Sequence, residues 1–300
     1  MDDAILDALG SPLVRIPSPD GTTIAAKVES FNPGGSTKVR PALEMVLGAE
    51  RRGEVEPGDT LVEATSGNTG IGLALVAAAR GYDLTIVMPS SVSSERRRLI
   101  RAYGASLVLV EEGMSAANAR AETLAAGEGT FQVSQFDNPD NPAAHERTTA
   151  PEIIEQVGDR TVDAFVATVG TGGTISGTAR RLRETYPDLS VVGVEPATSP
   201  WLSTGEYGEH DFQGMGPDFV PETLDRTQID EVESVSIEKA AAECRRLASE
   251  SGMLVGQSSG AAAIASSRVA HRLAGEYERP LVVTIFPDSG ERYLSTGLFD

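Results

Sequence analysis

Thr60-Leu61-Val62-Glu63-Ala64-Thr65-Ser66-Gly67-Asn68-Thr69-Gly70 joins an apolar strand to a polar turn, and a helix-like run follows from Thr69 to Arg80. Strand, short polar loop and helix in that order are the unit of a parallel α/β sheet. The loop opens a helix, so free backbone N–H groups and the positive end of the helix dipole meet there. Hydroxyls of Thr65, Ser66 and Thr69 add donors, and Asn68 can both give and accept. An ordinary capped turn would not need six small or polar residues in a row. The stretch reads as a site for a carboxylate or phosphate.

The same alternation continues outward. Leu84–Met88 reads as a strand ending at Pro89, Ser93 or Ser94 caps a helix to about Tyr103, Ser106–Val110 is a strand and Ser115–Ala126 a helix. A second series has a helix from Asn141 to Val157, a strand over Asp163–Val169, a helix over Thr174–Thr185 and a strand over Val191–Val194. Residues 196–222 are rich in Gly, Pro and Ser and read as an irregular loop. Helices over Ile237–Ser251 and Gly260–Leu273 and a strand over Leu281–Phe286 close the chain. The expected fold is α/β and two-lobed, each lobe a mostly parallel sheet flanked by helices. Residues 40–140 would form the smaller, mobile lobe; residues 1–39 and 141–300 would form the larger.

Composition narrows the function. The 300 residues carry a net charge of −19 with a pI near 4.6, which disfavours nucleic acid as a partner because phosphate contacts need clustered Lys and Arg. No apolar run approaches the ~18 residues of a transmembrane helix. The acidic start Met1-Asp2-Asp3 lacks the order of a signal peptide, so a soluble cytoplasmic protein is expected. Acidic residues are spread along the chain and Lys is scarce, as on a salt-adapted surface. Cys244 is the only cysteine, and His145, His210 and His271 lack ligand spacing, so no metal site is expected.

Lys38 ends Asn32-Pro33-Gly34-Gly35-Ser36-Thr37-Lys38 and is one of three lysines against 22 arginines. Unlike Arg, a lysine can lose its proton and attack a carbonyl to form a Schiff base. Ser36 looks like an N-cap for a helix starting near Val39, and a cation in that first turn opposes the macrodipole, favouring the neutral amine. Gly170-Thr171-Gly172-Gly173-Thr174, between a strand and a helix, lets the backbone approach an anion, and Thr174 adds a hydroxyl. Its spacing is neither that of a dinucleotide fingerprint nor of a Walker A loop. Two further polar loops are Gly256-Gln257-Ser258-Ser259-Gly260 and Gln135-Phe136-Asp137-Asn138-Pro139. Loops at the carboxyl ends of strands converge on one crevice. A reactive lysine, a phosphate cradle, an anion loop and a neutral serine suit a phosphorylated aldehyde cofactor.

In this order the loops, together with Gly10–Arg15, Gln213–Gly216 and Gly290–Thr296, resemble the cysteine synthase (O-acetylserine sulfhydrylase) family. These are pyridoxal-phosphate enzymes of the tryptophan-synthase-β type, of fold type II, and the likeness runs through nearly the whole chain. The resemblance implies that Lys38 holds pyridoxal 5'-phosphate covalently and then serves as base and acid. It implies Asn68 at the ring's 3′ oxygen, Gly170, Thr171, Gly172, Gly173 and Thr174 around the phosphate, and Ser258 at the pyridine nitrogen. Thr65, Ser66, Thr69 and Gln135 would hold the substrate carboxylate, with Gly214 beside the amino acid. A neutral hydroxyl at the ring nitrogen weakens the electron sink relative to a carboxylate, which suits β-elimination.

The implied reaction is ping-pong β-replacement: acetate leaves O-acetyl-L-serine, then sulfide adds at Cβ to give L-cysteine. The resemblance also implies a homodimer and names serine acetyltransferase as a candidate partner. Val39 and Gln257 depart from common family residues, and the 196–222 loop is short. These departures leave cystathionine β-synthase and O-phosphoserine sulfhydrylase activities as alternatives; serine or threonine dehydratase is a weaker one. Residues 197–222 contain no Lys or Arg to meet a phosphoserine dianion, which favours acetylserine. A dinucleotide-binding oxidoreductase, from a different class, leaves Lys38 unexplained.

Overall fold

A computed structural model describes residues 4–300. It contains two sheets. Strands β1 (Leu13–Ile16) and β2 (Thr23–Val28) precede helix α1 (Val39–Arg52). Then come β3 (Thr60–Ala64), α2 (Asn68–Arg80), β4 (Asp83–Pro89), α3 (Ser94–Ala102), β5 (Ser106–Val110), α4 (Met114–Ala125) and β6 (Thr130–Gln132). A continuous helical stretch follows: α5 (Asp140–Ala144), a π turn (His145–Thr149) and α6 (Ala150–Val157). The chain closes with β7 (Ala164–Thr168), α7 (Gly173–Thr185), β8 (Ser190–Pro196), β9 (Glu231–Val235), α8 (Ile237–Ser251), α9 (Gln257–Leu273) and β10 (Leu281–Phe286).

The four-stranded sheet has the order β5-β4-β3-β6 and is parallel throughout. The six-stranded sheet has the order β1-β2-β10-β7-β8-β9, parallel except for the β1–β2 pair. Strands buried on both faces need apolar runs rather than alternation, as Leu281–Phe286 shows with every residue buried.

Helix α1 packs with the smaller sheet. Val39, Ala42, Met45, Val46 and Ala49 form one apolar stripe and share a core with Leu61 of β3 and with Ile71 and Leu73 of α2. Each of the Val, Met, Leu and Ile side chains contributes roughly 1.5–3 kcal/mol on burial, and the alanines less. The helices approach closely because position 72 is glycine: a Cβ there would lie 2.9 Å from the Lys38 carbonyl oxygen. Lys38 therefore sits at the junction between β2 of the larger sheet and a helix belonging to the smaller one.

That junction is pinned by buried charge. Arg40 donates to Glu29 at 2.7 Å and to Glu152 at 2.6 Å, and Lys27 reaches Glu152 at 2.6 Å. Together they tie β2, the start of α1 and α6. Removing one partner of such a buried group strands the other, at a cost of about 3–5 kcal/mol.

The π turn also has a local cause. Pro151 has no N–H for the carbonyl of Arg147, and its ring crowds that carbonyl. The helix accommodates this through the five π residues immediately before α6.

Candidate active site

The carboxyl ends of strands from both sheets open onto one cleft. A cavity of about 570 Å³ is lined by Lys38, by Ser66, Gly67 and Asn68 after β3, by Asp288 after β10 and by Ser258 at the start of α9. A smaller adjoining cavity is lined by Lys38, Thr37, Gly170, Thr171, Gly172 and Thr174. Gly214 faces both. Lys38, Asn68, Ser66, Ser258, Gly214 and four of the five cradle residues therefore meet in one place.

The remaining predicted residues lie behind the wall. Thr65, Thr69 and Gln135 are buried, and the Thr69 hydroxyl donates to Gln135 Oε1 at 2.6 Å. Gly173 is covered by Asn141, whose Oδ1 a Cβ at 173 would meet at 2.1 Å. Asn141 in turn donates to the Gln135 carbonyl at 2.7 Å and to Thr171 Oγ1 at 3.2 Å. One side chain thus connects the Gln135 loop with the glycine cradle.

Burial pushes the Lys38 amine down to about 8, against the opposing pull of Asp288 and Glu63. Burial thus makes the neutral amine far easier to reach than for a lysine in water, although below about pH 8 the ammonium still predominates. Ser36 is not the helix cap. Lys38 occupies that position, while Ser36 bridges to Asp288 and its hydroxyl accepts the Lys38 N–H at 3.4 Å.

The cradle is built from tightly packed backbone, at position 172 in a conformation that favours glycine. Gly172 caps α7 at φ +85°, in the left-handed region, and a Cβ there would meet Leu224 at 2.5 Å. Gly172 has no side chain to cap α7; the Gly173 N–H meets Thr171 Oγ1 at 3.4 Å, and Thr174 of the first turn lines the small cavity with the helix dipole behind it.

Several residues of the site carried no role in the sequence reading. Asn68 donates to Asp288 Oδ2 at 2.6 Å and accepts from Arg292 at 2.6 Å, while Tyr293 donates to Asp288 at 2.8 Å. Burial raises the Asp288 carboxyl, and these donors pull it back. Arg96 donates to the Ser66 carbonyl at 3.2 Å and to Gln213 Oε1 at 2.6 Å. The cleft accordingly holds two guanidiniums that residues 197–222 gave no hint of, both bound to protein acceptors. Glu63, buried within β3, accepts the Ser134 N–H at 2.8 Å, and burial raises it to about 7. A carboxylate interrupting an apolar strand was the available signal for Glu63.

A two-sheet α/β fold with a desolvated lysine amine between an anion loop and a glycine cradle defines the class. The chain belongs to the pyridoxal-phosphate dependent enzyme family, whose profile matches residues 6–288. It is 47% identical over 295 residues to a cysteine synthase of Staphylococcus aureus, covering 97% of this chain and 94% of that protein. It is 46% identical over 303 residues to O-ureido-L-serine synthase of Streptomyces lavendulae, covering 99% and 93%. The crystal structure of cysteine synthase from Entamoeba histolytica superposes with a TM-score of 0.95 at 37% identity, covering 100% of this chain and 91% of that one.

The residues fit the family's cofactor. The Thr37 hydroxyl is buried without a partner, and Thr37 lines the small cavity beside the positive end of the α7 dipole. An anion in that cavity would satisfy both. The larger cavity falls within the range of small-molecule sites. No group of His, Cys, Asp and Glu among the described residues is arranged to hold a metal.

Proposed function

We propose that this chain catalyses β-replacement, making L-cysteine from O-acetyl-L-serine and sulfide. The observation that carries the reading is the convergence of Lys38, Asn68, Ser258, the Ser66–Asn68 loop and the Gly170–Thr174 cradle on one cleft. Lys38 would hold pyridoxal phosphate through its amine, the cradle and Thr37 its phosphate, Asn68 the 3′ oxygen and Ser258 the ring nitrogen. When bound, the cofactor supplies the electron sink that makes the substrate Cα proton removable.

The chain's own residues do the rest. Lys38, once displaced by substrate, takes the Cα proton and later returns it. An amine that titrates near 8 can do both close to neutral pH. Ser66 on the cleft wall would take the substrate carboxylate, and Thr65, Thr69 and Gln135, buried behind it, would join in holding it as the lobes close. Because Ser66 follows β3 and the cradle follows β7, binding would draw residues 40–140, the smaller lobe, over residues 1–39 and 141–300. Closure excludes water from the reacting atoms.

Acetylserine is favoured over phosphoserine because residues 197–222 supply no Lys or Arg, and the cleft's Arg292 and Arg96 already hold Asn68, Ser66 and Gln213, with the buried Arg96 Nε left without a partner. The likeness to O-ureido-L-serine synthase supports a second reading, in which the same donor half-reaction feeds an acceptor other than sulfide. We further propose a cytoplasmic, salt-adapted homodimer, to which exposed Phe31 and Leu294 offer apolar surface. No helix among the described residues is long and apolar enough to cross a membrane.

The test supplies O-acetylserine, O-phosphoserine or serine together with sulfide or homocysteine and identifies products by mass. Cysteine from acetylserine and sulfide is expected; turnover only with another donor or acceptor would replace this reading.

A further inference from the structure

His145 is fully buried in the π turn, outside the cleft, and no role in the reaction above uses it. Its two ring nitrogens have different partners. Nδ1 lies 2.9 Å from Thr149 Oγ1, and Nε2 lies 3.2 Å from Thr174 Oγ1. Thr174 lines the small cavity with Gly170, Thr171 and Gly172. The ring therefore bridges a core hydroxyl to a cradle hydroxyl.

The packing that makes this bridge is specific. Helix α5 lies directly on α7 because positions 173 and 177 are glycine: a Cβ at 177 would sit 1.9 Å from the Pro142 carbonyl oxygen. The π turn that follows places His145 over the start of α7 and turns Thr149 onto its other nitrogen.

We propose that His145 is a positioning residue for the anion cradle, acting through a Thr149–His145–Thr174 chain that sets the direction of the Thr174 hydroxyl proton. The inference rests on the reading that the cradle takes a phosphate. A neutral imidazole has one donor and one acceptor, so the chain has two directions. In one, Thr149 donates to Nδ1, Nε2–H donates to Thr174, and the Thr174 proton is free for the cavity. In the other, Nδ1–H donates to Thr149, Nε2 accepts from Thr174, and the Thr174 hydroxyl turns away from the cavity.

A bound phosphate needs a donor from Thr174 and selects the first direction. Burial, with Arg40 and Lys38 nearby, holds the ring far below its ordinary titration range and keeps it neutral, so both directions remain open to it. A histidine that merely fills the core would keep one tautomer whatever the cavity holds.

The experiment reads the ring directly. The full chain has three histidines, so ¹⁵N-histidine labelling resolves His145 by NMR. The pyridoxal-phosphate-loaded enzyme should show a protonated Nε2 and a bare Nδ1. Inorganic phosphate titrated into protein stripped of cofactor should produce the same tautomer. This second arm separates the two ideas, because it tests the relay even if the wild type takes up no cofactor. A protonated Nδ1 with phosphate bound, or an Nε2–H tautomer already fixed in the ligand-free protein and unchanged on adding phosphate, overturns the proposal.

A mutant cycle adds an independent readout. His145→Leu should weaken inorganic phosphate binding severalfold, because the Thr174 hydroxyl stays but loses the donor that directs its proton into the cavity. His145→Gln, which keeps a donor near the Nε2 position, should restore most of it. In a Thr174→Val background His145→Leu should change affinity less than about twofold. An equal loss in both backgrounds would mean that His145 acts only through the fold.

Discussion

Arg96 donates to Gln213 Oε1 at 2.6 Å, and this bond crosses the cleft. Arg96 stands on α3 beside the four-stranded sheet, whereas Gln213 belongs to the loop between β8 and β9 of the six-stranded one. The same guanidinium donates to the carbonyl of Ser66 in the anion loop. A carboxylate arriving at Ser66 would therefore meet a loop already tethered to the far wall. Arg96→Leu should raise the KM for the amino-acid donor about tenfold with a smaller effect on kcat, since a charge-assisted bond contributes roughly 1.5–3 kcal/mol. Steady-state kinetics checks the split, and an unchanged KM would leave the bond without a role in binding.

Lys38→Ala should abolish the absorbance band of lysine-held cofactor and lower turnover by a thousandfold or more, a magnitude typical of lost acid–base and covalent catalysis. Borohydride treatment of the wild type followed by peptide mapping should label Lys38 among the three lysines. A label on Lys27 or Lys239 would contradict the assignment.

The Lys38 amine also fixes a pH dependence. Burial lowers its folded value from 10.5 to about 8. Between these values the stripped, folded protein carries fewer protons than the unfolded chain, so this group alone makes stability increase as pH rises from about 8 to 10.5. Capture of added pyridoxal phosphate needs the neutral amine, so its rate should climb with pH and level above about 8. A stopped-flow series of absorbance traces measures it. A rate still climbing steeply beyond pH 10 would place the amine in water.

Much of this was legible in the sequence because the chemistry sits in contiguous loops. Ser106–Val110, Ile237–Ser251 and Leu281–Phe286 have the bounds that periodicity and turn residues suggest. Strand β9 (Glu231–Val235) escaped notice because Glu233-Ser234 breaks the apolar–polar alternation of Glu-Val-Glu-Ser-Val and only its last residue is buried. Strand β1 carries Arg15 and is short, so it gave little apolar signal. The cleft residues Arg96, Asp288 and Arg292 were unreadable for a different reason. Their roles arise from contacts such as Asn68–Asp288, 220 positions apart, which no local pattern encodes.

The net charge of −19 predicts a salt response. Unscreened repulsion among excess carboxylates destabilises the compact state, and its range at low ionic strength exceeds the spacing of surface charges. Exposed pairs such as Arg181–Glu184 and Arg246–Glu250 weaken in salt, but each contributes little. The buried Arg40–Glu29 pair is shielded from screening. The melting temperature should therefore rise between dilute buffer and molar KCl. A flat or falling curve would show that the local pairs outweigh the global repulsion.

Thr69→Ala separates substrate binding from cofactor binding. Thr69 is buried at the start of α2, and its hydroxyl donates to Gln135 Oε1 at 2.6 Å. That bond joins the loop after β3 to the loop after β6. Gln135 is held from its other side by Asn141, which also reaches Thr171 in the cradle. Removing the Thr69 hydroxyl frees the Gln135 amide but leaves Asn141, Thr171, Gly172 and Lys38 in place. Loss of the Thr69–Gln135 bond should weaken binding of an unreactive amino acid about tenfold and reduce the compaction it induces in small-angle scattering. Cofactor affinity should stay within about twofold, because the cradle and the lysine lie beyond the broken bond. Equal losses of cofactor and amino acid would mean that the two loops act as a single rigid unit. Wild-type protein that shows no compaction would remove lobe closure from the reaction altogether.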